Sequence, residues 1–331
     1  MRLPLLIILT LSALVACTPR IQDPGPFAQN PMRPNLTETH YVTTDGTRLP
    51  LRRWEPDTTP RGVVLALHGF NDYSDAFSGF GPWMAQNGIA VIAYDQRGFG
   101  AAPQKGLWPG HDLLADDARD AVTAIADAYP GVPVFALGES MGGAILLTAN
   151  DRATLDLDGI VLVAPAVWGR DTIPAYQTAT LWLFAHTVPW LSLSGKGIKR
   201  HPSDNIEMLR ALGRDPLVIK DTRVDSMWGI VNLMDAAQAA AGRFESPALL
   251  LFGANDDIVP PAASRRMLDA LPDAPDGKRR IAVYDDGYHM LLRDLQGETV
   301  WKDILDWIRN PNSPLASGAD IGDPKAKLSD H

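Results

Sequence analysis

The sequence predicts an α/β fold, a mostly parallel sheet covered by helices on both faces, with a helical cap inserted between core strands. Three observations lead there. Short, almost wholly apolar runs recur along the chain, as strands buried on both faces require. Helical patterns stand between them, the alternation of a parallel sheet. One long stretch, Val167 to Phe244, breaks that rhythm without a clear strand of its own.

The elements follow in order. His40 to Glu55 reads as an antiparallel hairpin with Asp45-Gly46 as its turn. The core strands are VVLALHG (Val63 to Gly69), IAVIAYDQRG (Ile89 to Gly98), VPVFALGES (Val132 to Ser140), GIVLVAPA (Gly159 to Ala166), ALLLFGAND (Ala248 to Asp256) and RRIAVYDDGYH (Arg279 to His289). Apolar residues at 114, 118, 121, 122 and 125 set a helix over Asp112 to Tyr129, and Pro130-Gly131 stops it. Pro261 to Leu271 and Glu298 to Ile308 predict two more helices. Residues 37–166 and 245–310 then make the core, and residues 167–244 form the cap on the side where the strands end. Function in such sheets gathers there.

The two ends differ from the body. The chain opens MRLPLLIILTLSALVAC, a basic Arg2 followed by an apolar run from Leu3 to Ala16. That run is short of the roughly 20 residues a spanning helix needs and suits a signal segment. Leu14-Val15-Ala16-Cys17 resembles the lipobox of bacterial lipoproteins, in which the cysteine is lipidated and begins the mature chain. The resemblance implies a membrane anchor at Cys17 in the bacterial cell envelope, with Thr18 favouring the outer membrane in a Gram-negative cell. An ordinary secretory signal or a short anchor is the alternative. Residues 17–36, rich in proline and polar residues, read as a flexible tether, and residues 311–331, which lack apolar periodicity, as a disordered tail.

Composition narrows the function. Apolar residues make up 46% and charged residues 21%, the balance of a globular protein with a large core. The net charge of −9 and the lack of a basic block argue against nucleic acid as a partner. Cys17 is the only cysteine, so an internal disulfide and a thiolate metal site are excluded. There is no H-E-x-x-H, P-loop or complete G-x-G-x-x-G, so neither a metal nor another cofactor is expected.

The chemistry centres on Gly138-Glu139-Ser140-Met141-Gly142, where a strand runs into a helix. Such a turn needs small neighbours and lifts the serine above the sheet at a helix N-terminus. A serine needs a base, and the base an orienting carboxylate. His289 alone among the seven histidines comes late and at a strand's carboxyl end. Asp256, just past LLLFG, is the preferred acid, with Asp257 beside it as the alternative; Asp285 and Asp286 read as a solvated turn. Ser140 is then the nucleophile, Asp256 the acid and His289 the base. The backbone amides of Met141 and Phe70 are the two candidate oxyanion donors, and His68 shapes the loop that carries Phe70.

From Thr37 to Asn310 the chain resembles the serine α/β-hydrolases, in the monoglyceride lipase and lysophospholipase-like (serine aminopeptidase S33-type) branch. The stretches that carry this are LHGFNDYS, AYDQRGFG, GESMGG, DPLVIKDTRVDSMWGI, GANDDIVP and GYHMLLRD. The order Ser140, Asp256, His289 is the one that fold uses. One departure is Glu139, where the family often has histidine. The resemblance implies a serine carboxylic-ester hydrolase, a carboxylesterase, monoacylglycerol lipase or lysophospholipase, acting on a small lipid ester through an acyl-enzyme. It also implies structural roles for Asp95 and Arg97. Thr178 to Leu191 of the cap is apolar enough to line an acyl-chain tunnel or touch a bilayer, or else packs on the core. Acyl transfer or peptidase action on the same triad is the alternative chemistry. A non-catalytic lipoprotein scaffold is the alternative outside enzymes.

Overall fold

The computed structural model describes residues 18–195, 197, 199–273 and 278–328. The expected signal segment and Cys17 lie outside the described residues. A nine-stranded sheet forms the centre. It comprises β1 (Asn35–Leu36), β2 (His40–Val42), β3 (Arg48–Trp54), β4 (Gly62–Leu67), β5 (Ile89–Tyr94), β6 (Val134–Glu139), β7 (Gly159–Val163), β10 (Ala248–Gly253) and β11 (Arg279–Tyr284). Their spatial order is β1-β2-β3-β5-β4-β6-β7-β10-β11. The first three are antiparallel, and from β5 to β11 every pairing is parallel.

The parallel strands are apolar at successive positions because each face is covered. In β4, Val63, Leu65 and Leu67 enter one core with Ala136 and Leu162, and Val64 and Ala66 enter the other with Leu137 and Val161. The first core is closed by α2 (His111–Ala128) and α3 (Met141–Arg152), the second by α1 (Phe80–Gln86) and α8 (Gly297–Arg309). The predicted strands and helices are all present, with ends within a few residues of expectation. Asp95 and Arg97 hold the loop after β5. Asp95 accepts hydrogen bonds from Ser74 and from the Ala101 amide. Arg97, 2% exposed, forks onto Asp117 and reaches Asp45 of the hairpin turn.

Between β7 and β10 lie α4 (Ala175–Thr187), β8 (Ser192–Ser194), α5 (Ile206–Arg214), β9 (Asp221–Arg223) and α6 (Val224–Ala241). Two features differ from the expected helical cap. The insert contains strands after all, since β8 and β9 pair as a small antiparallel ribbon. Its last helix also packs along α3 and α7 (Pro261–Ala270) in the core layer, through Leu233, Ala237 and Ala241. Only the earlier part stands off the body. There α4 buries Ala185 alone and leaves Tyr176, Trp182, Leu183 and Phe184 exposed.

Both ends depart from expectation over the residues described. The stretch read as a tether lies on the body. Gln22 is buried and donates to the Leu107 carbonyl, Ile21 bridges to Trp108, and the Gly25 and Phe27 amides bond Asp45. The stretch read as a tail packs as well. Leu315 and Leu328 are buried, the Ala319 carbonyl accepts from Val283, and Arg280 pairs with Asp320. Ser317 caps Asp303, a carboxylate of α8 with no exposed surface that also accepts from Tyr284. These contacts use single side chains and backbone groups, so no periodicity announces them.

Deleting residues 311–331 uncovers Leu315 and takes from Asp303 the two hydrogen bonds that Ser317 donates to it. Such a truncation should lower unfolding free energy by on the order of 3 kcal/mol, measured by urea denaturation. An unchanged midpoint would mean that the packed tail adds nothing.

Candidate active site

The strand order reverses at β4, which pairs with β5 on one side and β6 on the other. A crevice opens at the carboxyl ends of strands at such a point. The β6–α3 turn stands at that edge of the sheet. Ser140 has φ 53° and ψ −113°, a strained backbone for a residue with a side chain. The glycines around it are compulsory. A Cβ on Gly138 would sit 2.3 Å from the Gly142 carbonyl carbon, and one on Gly142 would sit 2.1 Å from the Leu67 oxygen. The loop after β4 also presses close, with Gly69 leaving room for only 3.4 Å between an added Cβ and that of Ser140.

Ser140, His289 and Asp256 meet above the sheet. The Ser140 Oγ lies 2.9 Å from His289 Nε2, and His289 Nδ1 lies 2.8 Å from Asp256 Oδ2. Asp256 can only accept, so Nδ1 carries the proton and Nε2 accepts from the serine hydroxyl. The other Asp256 oxygen accepts from the Ile258 and Val259 amides at 2.8 and 3.0 Å, which fixes the carboxylate's direction. Asp257, the alternative acid, turns away and accepts from the His201 amide. Asp285 and Asp286 are exposed.

The candidate donors occupy suitable places. Met141 opens α3 immediately after Ser140, and Phe70 follows Gly69. Neither amide has an intramolecular acceptor among the described residues. His68 is fully buried and acts as a loop brace: its Nδ1 donates to the Gly69 carbonyl and its Nε2 accepts from the Gln96 amide. Burial holds its pKa below the ordinary histidine value, so it stays neutral.

His289 is different. Burial works against its charged form, yet the charge and hydrogen bond of Asp256, helped by Glu139, lift its pKa above the ordinary value. The cap segment touches the same machinery. Asn71 bonds Thr222 and Ile219, while Met290 and Asp294 bond Pro202 and Ser203.

Residues 58–296, well over half the chain, match the family described as serine aminopeptidase, S33. The chain belongs to that family. It is a serine hydrolase with an α/β-hydrolase fold. Among its curated relatives in sequence, the monoacylglycerol lipase of Mycolicibacterium smegmatis is 27% identical over 82% of this chain and 96% of that protein. The monoglyceride lipase of Homo sapiens is 26% identical over 81% of this chain and 89% of that protein. Among solved structures, the Paleococcus ferrophilus monoacylglycerol lipase superposes with a TM-score of 0.65 at 26% identity, covering 80% of this chain and 99% of that one.

In this S33 hydrolase the pairing of three groups beside the triad escaped the sequence reading. Arg293, Glu139 and Asp72 form a buried ion cluster under the turn. Glu139 stood out as a departure from the family pattern, and Arg293 lies in GYHMLLRD, but nothing in the string paired them.

The geometry makes a pH statement about one imidazole. Followed by NMR, His289 should titrate above the ordinary value of about 6.5 in the native protein. In Asp256→Asn the midpoint should fall, because burial is then opposed by less negative charge. A midpoint unmoved by that substitution would contradict the assigned source of the shift.

Proposed function

We propose that this protein hydrolyses carboxylic esters of the monoacylglycerol or lysophospholipid type by way of an acyl-enzyme. The single observation that carries the reading is the continuous hydrogen-bonded line from Ser140 through His289 to Asp256, at the carboxyl edge of a parallel sheet. Ser140 Oγ attacks the ester carbonyl carbon while His289 Nε2 takes its proton. The resulting oxyanion would accept from the Phe70 and Met141 amides, the latter at the positive end of α3. Collapse expels the alcohol, which takes the proton from His289. Water then repeats the sequence on the acyl-serine, with His289 as base, and the carboxylic acid leaves.

Two considerations point to lipid esters over peptides. The relatives named above carry lipase names, and the exposed part of the insert is apolar. A groove of about 320 Å³ there is lined by Tyr176, Leu181, Phe184, Leu193 and Val224. It offers an acyl chain a surface with few competing polar groups. Acyl transfer to another alcohol would use the same acyl-serine with a different second acceptor.

The anchoring reading goes with the same proposal. A lipidated Cys17 would hold the enzyme at the cell envelope near its substrates, and multiple acyl chains give stable attachment where one is marginal.

Purified protein should release fatty acid from monoacylglycerols or lysophospholipids in a panel that also contains short esters and peptide amides. Ser140→Ala should lower that rate by about 10,000-fold or more while leaving the melting temperature near the parent's. Turnover surviving in Ser140→Ala, or cleavage confined to the peptides, would overturn the proposal. Separately, Cys17→Ser should move the full chain from the membrane pellet to the soluble fraction. Continued sedimentation with membranes would place the attachment elsewhere.

A further inference from the structure

Beneath the Ser140 turn lies a cluster of three charged side chains that hydrolysis itself does not call for. Arg293 Nη1 stands 2.7 Å from Asp72 Oδ2, and Arg293 Nη2 donates to Glu139 Oε2 at 3.1 Å. The side chains are 13%, 8% and 2% exposed, so the pairings are nearly dry. Two carboxyl groups share one guanidinium, so acidic groups outnumber basic ones in the cluster.

Stability does not account for this cluster. Removing charges from water costs several kcal/mol each, and a buried pair offsets that only when its remaining hydrogen bonds are made. Here Glu139 Oε1, Arg293 Nε and Asp72 Oδ2, which meets Arg293 as an ion pair only, have no hydrogen-bond partner among the described residues. An apolar replacement would serve the core as well or better. What sets the cluster apart is where its members sit in the chain. Asp72 comes two residues after Phe70, Glu139 immediately before Ser140, and Arg293 four residues after His289. Each belongs to a different one of the three segments that supply the oxyanion amide, the nucleophile and the base. Only an arginine can join two carboxylates at once with a rigid planar fork.

We propose that Arg293 and Glu139 are positioning residues: the guanidinium fork locks the Phe70 loop and the Ser140 turn onto the His289 loop, and the Glu139 carboxylate adds to the negative charge around the imidazole. The inference deepens the hydrolytic reading above and rests on it. The charged groups facing His289 are Asp256 from the loop after β10, Glu139 from the end of β6, and Arg293 from its own loop, with Asp72 behind Arg293. His68, on the loop after β4, is held neutral by burial. Burial holds the Glu139 pKa above the ordinary carboxylate value and Arg293 limits that rise, so the guanidinium favours the charge that Glu139 contributes. In turn Glu139 supports protonation of His289, the charge that appears when the serine proton is taken. The Arg293 backbone carbonyl also accepts from Asn205 of the insert at 3.0 Å, so the clamp extends to that segment.

Two variants test this on the full chain. Arg293→Lys keeps the charge and loses the fork. It should lower kcat for a soluble ester such as p-nitrophenyl butyrate about 10- to 100-fold, with KM changed no more than about threefold. Glu139→Gln nearly preserves shape and keeps an acceptor for Arg293. It should move both the NMR midpoint of His289 and the acid limb of kcat/KM to lower pH, with a melting temperature near the parent's. An Arg293→Lys enzyme with parental kcat, a loss carried by KM alone, or an unmoved His289 midpoint in Glu139→Gln would overturn the proposal. The NMR midpoint needs no turnover, so it judges this inference even if the esterase assay fails. Persistent activity in Ser140→Ala would instead sink the hydrolytic reading.

Discussion

Much of the molecule follows from one steric constraint, the turn at Ser140. A serine held at φ 53° is tolerated only because the surrounding packing overdetermines it. Gly142 lies against the Leu67 carbonyl and Gly138 against the start of α3, so β4, β6 and α3 approach more closely than any side chain would permit. That approach brings the loop after β4 beside the hydroxyl and aims the helix N-terminus at the same point. The Ser140 carbonyl accepts from Ala144 and Ala166, and its amide donates to Val163. The strained residue is therefore held by its backbone on both sides, leaving the side chain as its free feature.

How much of this a string of letters reveals depends on the range of the interactions involved. Strands buried on both faces write themselves as apolar runs, and α2 and α8 write an apolar stripe, so the layers were legible. Ser140, His289 and Asp256 were legible because each sits where a strand ends, a local property. The preference for Asp256 over Asp257 came from position alone, and its physical basis appears only in three dimensions. One Asp256 oxygen is committed to two amides and the other to the imidazole, while Asp257 serves the His201 amide.

The misread segments fail for the complementary reason. Residues 18–36 and 311–328 are held by partners far away in sequence, through single side chains such as Gln22 on Leu107 and Ser317 on Asp303. Polarity and proline made them look like solvated chain, although a few well-placed bonds are enough to hold a segment on a body that is already folded. The ion cluster of Asp72, Glu139 and Arg293 escaped in the same way. Buried charge is rare, and nothing in three separate loops announces that they share one site. The ribbon of β8 and β9 was missed because three-residue strands are too short to show alternation.

The laying-down of the first described residues has a geometric consequence. Ile21 bridges Trp108, whose ring packs edge-on against Phe70 and fills the space over Gly229 of α6. The chain therefore joins the body next to the loop that carries Phe70. Residues 18 to 20, even when fully extended, reach only about 10 Å beyond that point. The first described residues are thus tied through Trp108 to the loop that carries Phe70, so that side of the active site is braced by the amino-terminal stretch of the chain.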